Sequence, residues 1–164
     1  MEFLFTDEQL QFREIVGRFM GDKSPPAEVR RLMETDLGYN PDVWRALSND
    51  LGLPAVHIPE EYGGQGFGFI ELGIVMEEAG RALFCGPYLS SSVLAAGAIL
   101  NGGDETQKTR WLQGISAGTT FGALAIAEPG AGPGFEDLKL QATRNGESWT
   151  LTGTKTRVID GHIA

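Results

Sequence analysis

The stretch Leu124-Ala125-Ile126-Ala127-Glu128-Pro129-Gly130-Ala131-Gly132 follows the point at which the pattern of the sequence changes. Up to residue 118, apolar residues recur at the three- and four-residue spacing of amphipathic helices. Beyond it, residues 120–127 form an apolar run of strand length, and later residues alternate between apolar and polar. The sequence therefore predicts an α+β chain, in which 1–118 form an all-helical domain and 119–164 supply the first strands of an incomplete β domain.

About six helices are predicted, and several have clear starting signals. Thr6-Asp7-Glu8-Gln9 is a capping box, in which the first and last side chains satisfy each other's backbone N–H groups. Asn40-Pro41 and Asp104 are start signals for two later helices, and Ser24 is placed to begin the second. Residues 87–100 carry no charge and are apolar nearly all round, so we expect this helix to be the most buried one.

In the β part, Asn145-Gly146 predicts a tight hairpin, because both residues tolerate the left-handed backbone that such turns need. Apolar and polar residues alternate over 138–142 before this turn and over 149–151 after it. Three or four strands are therefore predicted over the β part.

Composition excludes several classes of function. The net charge is −9, and residues 1–83 hold 15 acidic and 7 basic residues, so no basic patch is available for nucleic acid or an anionic membrane. The uncharged run 82–103 is interrupted by glycine, proline and serine, so a membrane span is not predicted. Cys85 is the single cysteine, which excludes a disulfide framework. No N-terminal segment has a basic region followed by an apolar one, so a secretory signal is not predicted and we expect a cytoplasmic protein.

The residues alone assign little chemistry. The two histidines, His57 and His162, lie in a loop and near the last residue, and no cluster has metal-ligand spacing. No catalytic residue and no metal site are therefore predicted. The glycines of 130–132 fit either a wide turn, which is the commoner case, or a loop whose backbone approaches a ligand.

Five segments together are similar to one known family. They are Pro59–Gly66, Met76–Arg81, Asp104–Leu112, the 124–132 stretch and Leu151–Lys155. In this order and spacing they resemble the PEEYGG loop, the EE-x-GR helix end, the E-x-QK-x-x-WL helix, the flavin-side loop and the LNG-x-K strand of acyl-CoA dehydrogenases. The resemblance covers most of residues 5–161.

The resemblance implies a fold and an activity. Members of the family have a helical domain, a β-barrel domain and a C-terminal helical bundle, and they use FAD to convert an acyl-CoA thioester to its α,β-unsaturated form. The catalytic glutamate lies in the C-terminal bundle, so the resemblance assigns no catalytic residue here. We expect this chain to be a fragment of a longer protein, and its electron acceptor and acyl substrate class stay open.

The resemblance also implies positions that contact the cofactor. At three of them the family's hydroxyl-bearing residue is replaced, by Ala127, Pro133 and Ile159, so we expect FAD binding to be weak or absent in this chain. The matching scaffold residues Glu128 and Lys155 are retained. The full set of candidate cofactor positions is Leu124, Ile126, Ala127, Gly132, Pro133, Arg157, Val158 and Ile159.

The family's acyl pocket lies partly between the fourth and fifth helices. By that analogy Leu83, Tyr88, Leu89 and Val93 are candidate walls of a substrate pocket, whereas ordinary core packing is the alternative for each. Two other functions remain open: a non-catalytic, flavin-poor subunit that stabilises a catalytic partner, and a helical interaction module. We expect a homo- or hetero-oligomer whether the chain is part of the enzyme or is the stabilising subunit.

Overall fold

The structure, a computed structural model, describes residues 4–132 and 134–164. Within these residues, six α-helices precede one antiparallel β-hairpin, which confirms the predicted α+β fold. A π-helix (Tyr88–Ala95) runs directly into the fifth α-helix. The helices are α1 (Asp7–Lys23), α2 (Pro26–Met33), α3 (Pro41–Asn49), α4 (Phe69–Arg81), α5 (Ala96–Gly102) and α6 (Glu105–Ser116), and the strands are β1 (Gln141–Asn145) and β2 (Ser148–Thr152).

The predicted helix starts are confirmed with one exception. Thr6 and Asp104 form capping boxes at α1 and α6, and the Asn40 side chain accepts backbone N–H groups at the start of α3. Ser24 does not cap α2, because Pro25 occupies the cap position. The Ser24 hydroxyl instead donates to a carbonyl just beyond α4 (3.1 Å), which joins the α1–α2 corner to that helix.

Two apolar clusters hold the helices together. In the larger one, α1 packs against α4, α3 contributes Trp44 and Leu47, and the side chains of Val16, Leu47 and Val75 are fully buried. The smaller one lies beneath α6, where Leu112 meets Ile58. These clusters account for the amphipathic stripes in the sequence.

The segment 87–100 is buried in an unexpected way. It is a π-helix followed by α5 rather than one uniform helix, and its fully buried side chains include three consecutive serines, Ser90 to Ser92. Val93 is only partly buried, and Leu89 is 38% exposed. The apolar composition of the segment therefore did not predict which of its side chains are buried, because Ser90 and Ser91 contact backbone and polar groups of the later chain.

The predicted strand over 120–127 is wrong, because these residues form no strand in the structure. Within the described residues, the run has one backbone pairing to the later chain, from the Thr156 N–H to the Ala127 carbonyl (2.8 Å), and a ladder needs a series of such bonds. The hairpin at Asn145-Gly146 is confirmed, with Asn145 paired to Ser148 and Gly146 at φ 64°. Every residue of β1 and β2 is exposed.

We predict that Leu47→Ala lowers the free energy of unfolding by about 2–5 kcal/mol, because a fully buried leucine leaves a cavity. Leu10→Ala is the matched control, since Leu10 lies on α1 and is 45% exposed. Urea denaturation measures both variants. Equal effects of the two substitutions would contradict the placement of the core.

Candidate functional site

One buried carboxylate organises the loop that carries the candidate cofactor residues. Glu128 accepts hydrogen bonds from the backbone N–H groups of Lys139 (2.6 Å) and Leu140 (3.0 Å), and from the ammonium of Lys155 (2.8 Å). Lys155 also donates to the carbonyl of Ile126 (2.9 Å). A single side chain therefore joins three segments that are well separated in sequence.

The charge on this carboxylate is strongly favoured. The hydrogen bond from Lys155, followed by the backbone N–H of Lys139, lowers the pKa of Glu128 from 4.5 to about 2. Because donors surround a buried anion, each bond is of the stronger, charge-assisted kind. The loop around Glu128 is thus fixed by an ionic group at neutral pH.

The structure brings all of the described candidate cofactor positions except Gly132 onto two neighbouring segments. The hydrogen bond from Thr156 to Ala127 places residues 124–127 beside residues 156–159. Leu124 and Val158 are half-buried, whereas the other described candidates are exposed. Pro133 lies outside the described residues. The exposed candidates are Ile126, Ala127, Gly132, Arg157 and Ile159.

The side chains at these positions fit a flavin only in part. None of the seven described candidates carries a hydroxyl, and six are aliphatic or glycine, so they offer apolar contact and backbone groups. Arg157 is the one charged candidate, and its backbone is left-handed (φ 53°). The side-chain donors that the family resemblance calls for are therefore missing, while the loop framework is present.

Three of the four candidate acyl-pocket residues share one cleft. Leu83, Tyr88 and Leu89 line a cavity of about 190 Å³ between the end of α4 and the π-helix. Tyr88 is 2% exposed, and its hydroxyl donates to the Leu53 carbonyl (2.9 Å), so it presents only apolar surface to the cleft. Val93 instead packs against the larger apolar cluster, as ordinary core packing predicts.

Leu83 has an unusual backbone. Beyond α4, the Phe84 N–H donates to the Ala79 carbonyl (2.9 Å) and the Leu83 N–H to the Gly80 carbonyl (3.1 Å), which is a Schellman motif. Glycine is usual at the left-handed position of this motif, but Leu83 occupies it with φ 50° and is 70% exposed. Leu83 therefore combines a strained backbone with a side chain that is largely exposed at the edge of the cleft.

A larger cleft of about 510 Å³ lies elsewhere, between α5, α6 and residues 120–124. Leu124 lines it, together with Trp111 and Phe121. The three acyl-pocket candidates do not line this cleft, so size alone does not identify the substrate site.

Sequence reasoning missed two buried serines that contact the later chain. Ser90 contacts Asp160, and Ser91 contacts Gly122. The available signal was a run of three serines inside an uncharged, apolar segment, because most buried hydroxyls are hydrogen-bonded.

In the part of the chain that the structure describes, no helix is both long and apolar enough to cross a bilayer. Among the same residues, no group of three or more histidine, cysteine or acidic side chains could hold a metal ion.

Comparison with known proteins identifies the family. A sequence model described as "Acyl-CoA dehydrogenase, N-terminal domain" matches residues 6–119. The chain belongs to the acyl-CoA dehydrogenase family. It is 33% identical to the mitochondrial isovaleryl-CoA dehydrogenase of Bos taurus over 158 residues, which are 95% of this chain and 37% of that protein. It is 38% identical to acyl-CoA dehydrogenase FadE12 of Mycobacterium tuberculosis (strain ATCC 25618 / H37Rv), covering 93% of this chain and 39% of that one.

Several solved structures share the fold. Butyryl-CoA dehydrogenase from Megasphaera elsdenii matches with a TM-score of 0.84 at 28% identity, covering 100% of this chain and 44% of that one. A chain of the ChsE4–ChsE5 complex from Mycobacterium tuberculosis matches with a TM-score of 0.83 at 31% identity, covering 96% and 42%. An acyl-CoA dehydrogenase complexed with FAD from Bacillus anthracis matches at 0.78 and 25% identity, covering 94% and 27%. The chain thus spans less than half the length of these relatives.

We predict that an NMR pH titration detects the hydrogen bonds that Glu128 accepts from the backbone N–H groups of Lys139 and Leu140. A carboxylate whose folded pKa is lowered stabilises the fold above about pH 4.5 and loses that effect as the pH falls through about 2. The amide proton shifts of Lys139 and Leu140 should therefore stay constant as the pH passes 4.5 and change only towards 2. In the control, Glu128→Gln, the pH-dependent change should be absent. A midpoint near 4.5 in the unmodified chain would contradict the geometry.

Proposed function

We propose that this chain forms part of the acyl pocket and part of the flavin scaffold of an FAD-dependent acyl-CoA dehydrogenase, which performs α,β-dehydrogenation of an acyl-CoA thioester. The observation that carries this proposal is Leu83, an exposed leucine held in a left-handed backbone at the edge of the cleft that Tyr88 and Leu89 also line. Family membership supports the reaction type.

The proposal includes a division of the chain into domains. Residues 1–118 form the N-terminal helical domain, and residues 119–164 form the beginning of the middle β domain. The match of the family model over residues 6–119 supports this boundary. The catalytic base belongs to the region that the relatives have and this chain does not span.

The cleft suits the alkyl part of a substrate. Its described walls present apolar surface, since the Tyr88 hydroxyl is engaged with the Leu53 carbonyl. Transferring an alkyl chain from water onto such a surface lowers the free energy by about 25 cal/mol per Å² of apolar surface buried. The phosphates of coenzyme A need a different site, because the described residues that line this cleft include no basic side chain.

A second function has one specific observation in its favour. The candidate cofactor positions lack side-chain hydroxyls among the described residues, as a flavin-poor subunit would. Such a subunit would stabilise a catalytic partner in a mixed oligomer. The match to a chain of the ChsE4–ChsE5 complex supports this alternative by showing a relative within a complex of two proteins.

We predict that Leu83→Gly separates substrate binding from folding. Glycine relieves about 1–2 kcal/mol of left-handed strain and costs about 0.5–1 kcal/mol of backbone entropy, so stability should change by less than about 1.5 kcal/mol. In an enzyme that contains the remaining family domains, the KM for a long-chain acyl-CoA should rise by about five- to tenfold, as lost apolar contact predicts.

Met33→Ala is the control for Leu83→Gly, because Met33 is 71% exposed and does not line this cleft. An unchanged KM in Leu83→Gly would remove the main support for an acyl pocket here. Steady-state assays with an artificial electron acceptor provide the measurement.

We predict that Ala127→Thr combined with Pro133→Ser tightens FAD binding about fivefold or more. Each restored hydrogen bond is worth about 0.5–1.5 kcal/mol, and the substitution introduces two hydroxyls. Ala127→Val is the control, since it adds a branched side chain without a hydroxyl. Flavin fluorescence measures the affinity. Equal affinity in all three proteins would show that backbone donors already suffice and would disfavour the flavin-poor subunit.

A further inference from the structure

The π-helix Tyr88–Ala95 buries polar side chains where apolar ones were expected. Ser90, Ser91 and Ser92 are 0%, 1% and 0% exposed. Burying a hydroxyl is unfavourable unless it is hydrogen-bonded. The Ser92 hydroxyl has no hydrogen-bond partner among the described residues, so the partners of Ser90 and Ser91 are the ones that indicate what this helix face does. Two of the three serines contact the segments on either side of the candidate flavin loop.

Ser91 holds the segment that leads into the loop. The backbone N–H of Gly122 donates to the Ser91 hydroxyl (3.1 Å). A Cβ atom at Gly122 would lie 2.6 Å from the Cβ of Ala95, one turn further along the same helix face. The backbone therefore approaches the π-helix as closely as a glycine allows, and only a small residue fits on either side.

Ser90 holds the segment that follows the candidate cofactor residues. Its hydroxyl lies 2.6 Å from a carboxylate oxygen of Asp160 and 3.2 Å from the Pro87 carbonyl. A serine has one proton to donate, and the shorter contact to an ionised acceptor is the stronger bond. Asp160 adopts a left-handed backbone (φ 53°) as it makes this contact.

The two bonds are placed where the candidate sites meet. Ser90 directly follows Leu89, which lines the acyl cleft, and Asp160 directly follows Ile159, a candidate cofactor residue. We propose that Ser90 and Ser91 are positioning residues, which lock the two flavin-side segments onto the helix that forms the acyl-side wall. Ser91 fixes the incoming segment at Gly122, and Ser90 fixes the outgoing segment at Asp160.

Hydrogen exchange on the full chain tests this lock without any ligand. The amides of Gly161 and Ile163 report on the outgoing segment, because they donate to the carbonyls of Val158 (3.2 Å) and Asp160 (3.1 Å). Ser90→Ala should accelerate their exchange about tenfold or more, since it removes a bond to an ionised acceptor. Asp160→Gly should do the same, and it keeps the left-handed backbone available.

Conservative and neighbouring variants distinguish positioning from general stability. Asp160→Asn keeps an acceptor oxygen and tolerates the same backbone, so exchange should rise by less than about threefold. Ser91→Ala removes an equally buried hydroxyl and should expose Gly122 without affecting Gly161 or Ile163.

The double variant Ser90→Ala with Asp160→Gly should exchange no faster than either single variant, because both remove the same bond. The proposal is overturned if Ser90→Ala has no effect, if Asp160→Asn behaves like Asp160→Gly, or if the double variant shows the product of the single effects. Equal acceleration in the amides of α1 and α4 would also overturn it, because Ser90 would then be a general core group.

The inference rests on the proposed function only for the identity of what the two segments hold. Exchange is measured without FAD or acyl-CoA, so a failure to bind flavin would leave the lock standing. Unchanged exchange would overturn the lock whatever the chain binds.

Discussion

The ionised carboxylate of Glu128 is the interaction on which the later part of the structure depends. It is buried among the backbone N–H groups of Lys139 and Leu140 and the ammonium of Lys155. Among the described residues, neither apolar cluster includes a residue beyond Phe121, so an ion with several donors takes the place of a core around the loop. The candidate flavin loop owes its shape to this polar centre, and its exposed apolar side chains contribute little.

The two parts of the chain are therefore stabilised by different physics. The helices are held by buried aliphatic and aromatic side chains, with α1 packed on α4. The later chain is attached to them by separate polar contacts, including Ser90, whose hydroxyl lies 2.6 Å from a carboxylate oxygen of Asp160, and His162, whose ring lies 3.3 Å from the Leu37 carbonyl. Polar contacts depend on geometry more than apolar ones do, so they define the position of a loop with little buried area.

The helical part could largely be predicted from the sequence, because capping boxes such as Thr6–Gln9 and apolar spacing are local signals. The hairpin at Asn145-Gly146 was predictable for the same reason. The run 120–127 was mistaken for a strand because its composition suits one, whereas a strand also needs a partner along its length. The roles of Ser90 and Ser91 could not be inferred from the sequence, since their partners lie 70 and 31 residues away. The sequence comparison included Leu83 among the candidate acyl-pocket residues, but nothing in the sequence indicates its left-handed backbone.

The hairpin has a consequence for how the chain behaves at high concentration. A two-stranded ribbon is only marginally stable by itself, and both of its outer edges carry unpaired backbone groups. Trp149 and Leu151 add apolar surface to this ribbon, at 61% and 66% exposure. A ribbon with unpaired edges and an uncovered apolar face lowers its free energy by pairing with another ribbon. We therefore expect concentrated samples of the chain to self-associate through this hairpin by strand pairing. The described helices offer no such edge.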